Sequence, residues 1–322
     1  MQRRTFLTGL AGASIFTAMD GFSTIVNALG ATRPQPASER FATFGAVHLN
    51  VTSIERAIGF WTRIGGMKLR SSGPDRAELG SEQHTLVVVH QTARIPYQEG
   101  FSGLYHVAIH ARDAAEFAQM LQRVLENKYP CSPIDHTMSQ SVYMQDPDGI
   151  TIEFALETPN RFKRVITTGG LRMEDADGTV RPASAELDVQ AALRHLPATG
   201  SAGIISNGAC IGHIHLYAKN VERSDDFYKR IGFVEFNFLP QYMYADVSAG
   251  GPYQHRVAMN SWHGVNKPLA PADSAGLRHF HIVYSTKEKL EEALRNVGAH
   301  ETTAEGHWVQ DPTGNRVLLS HA

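Results

Sequence analysis

Along the chain, apolar and polar positions fall into two rhythms. Short runs with β-branched or aromatic residues at alternate places predict strands at 47–51, 105–110, 211–218 and 279–284. Each is followed by a stretch of helical periodicity, at 54–64, 114–125, 221–231 and 287–297. Further strand-like runs trail the helices at 85–90, 141–144, 150–155, 256–260 and 316–319. The pattern also repeats. Asp146-Pro147-Asp148-Gly149 returns 165 residues later as Asp311-Pro312-Thr313-Gly314. Gly45-Ala46-Val47-His48-Leu49 returns 167 residues later as Gly212-His213-Ile214-His215-Leu216. Two such close offsets imply a duplicated unit of about 110–120 residues, and each copy divides again. The predicted fold is α+β, four βαβββ modules paired into two domains: modules 1 and 2 over 43–157, modules 3 and 4 over 210–322. Between them, 158–209 reads as a linker rich in Gly, Asp, Thr and Pro, with one helical piece near 183–196.

The first residues have a different character. Arg3 and Arg4 precede Thr5-Phe6-Leu7 and an uncharged stretch to Met19, with small residues at Ala28-Leu29-Gly30-Ala31. This is the layout of an export signal over 1–31, too short and too rich in small and hydroxyl residues for a spanning helix. Arg3-Arg4-Thr5-Phe6-Leu7 resembles the twin-arginine signal, although Asp20 departs from a clean one. The expectation is a periplasmic or secreted protein, cytoplasmic if the signal does not function, with 32–42 as a tether. No other stretch approaches eighteen apolar residues, so no stable span is expected after processing.

Composition narrows the chemistry. The 322 residues suit two domains of about 150–160. Thirty Lys and Arg against 32 Asp and Glu, without runs of one sign, give no reason to expect nucleic acid or an anionic membrane as partner. Cys131 and Cys210 are too few for a disulfide framework or a Cys-rich zinc site. The sixteen histidines are what remains to be explained.

Four βαβββ modules in two halves resemble the vicinal oxygen chelate superfamily of glyoxalases and extradiol dioxygenases. The resemblance runs from Phe44 to Ser320 and is strongest toward two-domain catechol 2,3-dioxygenases of the bacterial CatE type. Ile134-Asp135-His136, five residues, Val142-Tyr143, Asp146-Pro147, Gly149 and then Glu153 is similar to the extradiol signature at its fixed positions. Gly103-Leu104-Tyr105-His106, Ala249-Gly250-Gly251 leading to His255, and Asn260-Ser261-Trp262 add to it.

The resemblance implies iron(II), with Mn(II) or Zn(II) as secondary candidates, and a small aromatic diol and dioxygen as substrates. Two histidines and one carboxylate on one face suit non-haem iron. Glu153 lies among apolar neighbours, where an unpaired carboxylate would be costly. His106 matches one family ligand. For the second histidine, counting seven back from the helix start at Ser53 lands on Ala46, so His48, two residues on and on the same face, is the expected ligand. His84, with His90 as local competitor, looks like the acid–base histidine, since imidazole can take and return a proton near neutral pH. Tyr143 and His136 match residues that hydrogen-bond the diol or support the metal shell. In the second half His213 and His279 occupy ligand-like positions and His255 repeats the place of His84, but Leu318 stands where Glu153 would be. His213, His255 and His279 thus form the alternative site, fit for zinc or copper.

Three activities follow: an extradiol dioxygenase, a glyoxalase-type lyase or isomerase, and an exported bleomycin-resistance-like binding protein. The signature through Glu153 with an acid–base histidine and tyrosine favours the first. Ala46 and the export signal favour the third, because iron(II) is readily oxidised outside the cytoplasm, though twin-arginine export would allow loading beforehand. A homo-oligomer is compatible with all three.

Overall fold

The computed structural model describes residues 39–198 and 203–322; the expected signal over 1–31 and most of the tether lie outside them. The first module comprises β1 (Ala42–Asn50), α1 (Ile54–Arg63), β2 (Lys68–Ser72), β3 (Arg76–Gly80) and β4 (Thr85–His90). The second comprises β5 (Gly103–His110), α2 (Ala114–Glu126), β6 (Ser132–Asp135), β7 (Ser139–Gln145) and β8 (Thr151–Glu157). Four short strands follow, β9 (Phe162–Ile166), β10 (Arg172–Asp175), β11 (Val180–Pro182) and β12 (Ala185–Glu186), and then α3 (Val189–Leu193). The third module is β13 (Cys210–Tyr217), α4 (Val221–Arg230), β14 (Val234–Leu239), β15 (Tyr244–Ser248) and β16 (Val257–Asn260). The fourth is β17 (Gly276–Tyr284), α5 (Lys287–Val297), β18 (Glu301–Thr303), β19 (Gly306–Gln310) and β20 (Arg316–His321). The four βαβββ modules are all present.

One local device starts each module's helix. Ser53, Asp113, Asn220 and Thr286 are N-caps whose side-chain oxygens accept from the backbone N–H of Arg56, Glu116, Arg223 and Lys289. Apolar residues at helical spacing, such as Ile54, Ala57, Phe60 and Trp61 in α1, then bury one face against the sheet. The repeated Asp-Pro turns end the third strands. Asp146 Oδ1 accepts from the N–H groups of Asp148 and Ile150, and Asp311 Oδ1 from those of Thr313, Gly314 and Asn315. Gly149 and Gly314 close them at φ +87° and +107°, where a side chain would be strained. These turns also join modules: Asp148 accepts from the Thr52 N–H at 2.7 Å and from Arg56 at 2.8 Å, while Thr313 Oγ1 accepts from the Lys219 N–H at 3.2 Å.

Each module orders its strands alike, its last strand parallel to its first across the helical crossover. The first strand's other edge is left to pair with another module, and here the structure departs from the expected 43–157 and 210–322 partition. β1 pairs antiparallel with β17, and β5 with β13. An eight-stranded sheet therefore joins modules 1 and 4, and a nine-stranded sheet joins modules 2 and 3, with β12 on its edge. Alternation tells each first strand which face is buried but not which other edge it meets. The two inter-module connections hold the crossed arrangement, with Arg94 N–H donating to Asp273 O at 2.7 Å and Ser102 N–H to Pro268 O at 2.8 Å. The segment expected as a linker is also structured. β9–β11 form a small sheet, and α3, capped by Asp188, is shorter than the expected 183–196 because Ala185–Glu186 pairs with β6.

Candidate metal centre

The nine-stranded sheet sets three side chains in one row. Ala108 in β5 is in register with Glu153 on one side and with His213 on the other. Its methyl group leaves space between them, and His106, two residues earlier in β5, shares its face. Two bulges adjust the β5–β13 ladder: the pairing jumps from His215–His106 to Leu216–Leu104, and from Ile211–Ile109 to His213–Ala108. Tyr105 and Gly212 are the extra residues, and bulges of this kind re-aim neighbouring side chains.

The result is compact. His106 Nε2 and His213 Nε2 each lie 3.0 Å from Glu153 Oε2 and 3.0 Å from one another. None of the three residues is more than 3% exposed. Glu153 Oε2 receives no hydrogen bond despite these contacts, a costly state for a buried carboxylate oxygen. Burial pushes the Glu153 carboxyl upward, but His213 and His106 outweigh it and hold the group well below the usual carboxylate range. Burial keeps the His213 imidazole well below its ordinary value, hence neutral. A carboxylate and two imidazoles converging on one point fit a divalent cation, and this is the one such group among the described residues.

Two polar assemblies flank the trio. Tyr143 donates its hydroxyl proton to His136 Nε2 at 3.0 Å, and His136 donates from Nδ1 to the Ala183 carbonyl at 2.8 Å. Burial, then Glu153, raises the Tyr143 phenol well above its ordinary value, so it stays protonated. On the other side His255 lies with its ring centroid 4.5 Å from that of His213. Its Nδ1 donates to Asp246 Oδ2 at 2.6 Å, which also accepts from Tyr244 at 2.9 Å. Next to the trio His215 accepts from Asn260 Nδ2 at 2.9 Å. The bulge turns Tyr105 toward this cluster, with ring centroids 4.7 Å from His215 and 5.7 Å from Trp262.

The residues expected from sequence are thus distributed differently. His106, Glu153, Tyr143 and His136 come together. His213 and His255, expected in an alternative site with His279, join them instead. His48 does not: it lies in the eight-stranded sheet, its Nδ1 2.9 Å from His90 Nε2 and its ring stacked at 3.9 Å on His279. His84 does not either; it is exposed at the turn between β3 and β4, in that same sheet. Both corrections have one cause, the pairing of module 2 with module 3. The signal for His213 was its spacing, seven residues before its helix cap, as His106 stands seven before Asp113. Register gives the places equivalent to Glu153 as Val88, Ala258 and Leu318, so the eight-stranded sheet has no carboxylate there. Asp246, Tyr244 and His110 had no such signal.

Residues 43–154 match the sequence model of the Glyoxalase/Bleomycin resistance protein/Dioxygenase superfamily. A curated catechol-2,3-dioxygenase from Bacillus subtilis (strain 168) is 26% identical over 284 residues, 85% of this chain and 95% of that protein. A solved structure from Bacillus subtilis subsp. subtilis str. 168, assigned there to the dioxygenases, superposes with a TM-score of 0.54 at 11% identity. The match covers 87% of this chain and 85% of that one, a likeness of fold. Glyoxalase I from Zea mays gives 0.47 at 16% identity, over 86% of this chain and 92% of its own.

Proposed function

This chain carries a domain of the Glyoxalase/Bleomycin resistance protein/Dioxygenase superfamily, matched over residues 43–154, and on that premise we propose an iron(II)-dependent extradiol dioxygenase acting on a catechol-type diol. The likeness to a catechol-2,3-dioxygenase and the buried His–Glu–His group support a metal-dependent enzyme of this superfamily. The observation that favours the dioxygenase is the pair of assemblies flanking the trio. His255, backed by Asp246, and the Tyr143 hydroxyl give one imidazole able to exchange a proton and one proton donor beside a site made for a cation.

His106, His213 and Glu153 would hold the metal, two neutral ligands and one charge on a single face. Bound there, iron(II) would supply common binding of the diol oxygens and dioxygen. The chain's own groups do the rest. Asp246 takes the Nδ1 proton of His255 in a hydrogen bond and so leaves Nε2 as the basic nitrogen, able to receive a diol proton and return it on ring opening. His136, fixed by Ala183, orients the Tyr143 hydroxyl, whose high pKa keeps it a donor toward developing negative charge. The rings of Tyr105, His215 and Trp262 offer faces and edges to a planar aromatic substrate.

The test is metal analysis of anaerobically purified protein together with oxygen uptake on a panel of catechols. Stoichiometric iron with oxygen consumption supports the reading. Iron-loaded protein that binds catechols and consumes no oxygen overturns it, and isomerisation of a 2-oxoaldehyde–thiol adduct would move the activity to the glyoxalase type.

A further inference from the structure

Behind the centre, on the side away from Glu153, a chain of buried polar groups starts at the outer nitrogen of His213. His213 Nδ1 is 2.8 Å from His110 Nε2, and His110 Nδ1 is 2.9 Å from Glu157 Oε1. The same Glu157 oxygen accepts from Arg256 Nη1 at 2.7 Å. Arg256 Nη1 also donates to the Gly212 carbonyl at 3.0 Å, which returns the chain to the residue before His213. His110, His213 and Arg256 are each at most 2% exposed.

With one proton on each imidazole, only one arrangement satisfies the chain. Glu157 is a carboxylate that can only accept, so His110 carries its proton on Nδ1 and donates it there. His110 Nε2 is then an acceptor, and His213 donates to it from Nδ1, which leaves the Nε2 lone pair of His213 facing Glu153 and His106. The carboxylate therefore fixes the tautomer of His213 through one intervening imidazole. The backbone is adapted to this. A Cβ at Gly212 would fall 1.9 Å from His110 Cγ, so the bulge residue has to be glycine for the His110 ring to lie over it. At the place of His110, three residues before each helix cap, the other first strands carry Asn50, Tyr217 and Val283. His106 lacks such support: its Nδ1 is buried without a partner. The two histidines of the centre are held unequally.

We propose that His110, seated on Gly212 and backed by Glu157 and Arg256, is a positioning residue that holds His213 in the orientation and tautomer a divalent metal requires. This rests on the reading of His106, Glu153 and His213 as metal-holding residues and not on the identity of the substrate. Partners of ligating histidines of this kind are worth about 10–100-fold in metal affinity.

The experiment uses Co(II) as probe, with its dissociation constant measured by chelator competition on the full chain, alongside the Co(II) absorption spectrum and thermal unfolding of the metal-free protein. His110→Ala and Glu157→Ala should each weaken Co(II) by about 10–100-fold and alter the spectrum. His110→Gln, whose amide oxygen can still accept from His213 Nδ1–H, should recover part of the affinity. Gly212→Ala should weaken Co(II) by displacing the His110 ring while deleting no polar group of the chain. Variants that bind Co(II) as wild type does overturn the proposal, including when their unfolding temperature drops, since His110 would then be merely structural. If His110→Ala does not fold, Glu157→Ala decides in the same way. Wild-type protein that takes no Co(II) overturns the metal reading and this proposal together. Oxygen uptake does not enter, so the dioxygenase reading stands or falls separately.

Discussion

His255 donates from Nδ1 to Asp246 Oδ2 at 2.6 Å, and Asp246 itself is fully buried. A buried carboxylate behind an imidazole fixes which ring nitrogen is basic and stabilises the ring when it is protonated. That relationship makes His255, and not His84, the acid–base residue of the proposed reaction.

His255→Gln is expected to keep the metal and to bind catechol while turnover falls by about 10²–10⁴-fold, the usual contribution of a positioned acid–base group. His84→Gln, altering an exposed turn, should change neither. Asp246→Asn should lower turnover less than His255→Gln and shift its pH profile. Steady-state oxygen uptake beside iron content checks all three, and equal losses at His84 and His255 would refute the assignment.

For the metal, Glu153→Ala, His106→Ala and His213→Ala should each abolish stoichiometric binding, because each removes one of three groups meeting within 3.0 Å. His48→Ala and His279→Ala should retain it. Elemental analysis of the purified variants decides, and full occupancy in the Glu153 variant would move the centre elsewhere.

How far the sequence reaches can be seen in the same residues. The four helix starts were legible because alternation gives way to helical period at Ser53, Asp113, Asn220 and Thr286. His106, His136, Tyr143 and Glu153 were legible because they belong to one module, where spacing along the chain determines spacing in the sheet. His213 was visible as a ligand-like residue, but its partner strand was not. β5 and β1 offer the same kind of free edge, and the alternation within β13 does not say which one it meets. His84 and His255 occupy corresponding places in their modules, and the same choice of partner puts one beside the trio and leaves the other in solvent.

We also propose that the N-terminal segment is an export signal, cut near its small residues. Protein recovered from the cell envelope should begin between Ala28 and Pro36. N-terminal sequencing checks this, and Met1 retained in a cytoplasmic pool would refute it.

The eight-stranded sheet makes the last prediction. Burial first, then neighbouring histidines and the cations of Arg76 and Arg278, lowers His48 to about 2; burial and then Arg278 lead the lowering of His279 to about 3. Unfolded, both titrate near 6.5. Above that value neither state binds the proton, and the stability gained by keeping these rings neutral is fully present. Below it the unfolded chain binds protons that the folded chain refuses, so stability is lost as the pH falls from 6.5 toward the folded values. The unfolding temperature should therefore decline between pH 7 and pH 4 with no metal present. Buried histidines of the centre, such as His213 and His215, contribute in the same direction, so wild type alone does not separate the two sheets. His48→Leu does, since leucine fills the space beside His279 and has no proton to bind. Thermal unfolding at pH 7, 6, 5 and 4 should give a shallower decline for this variant than for wild type. Parallel curves would mean that His48 is protonated in the fold and that its stack on His279 tolerates the charge.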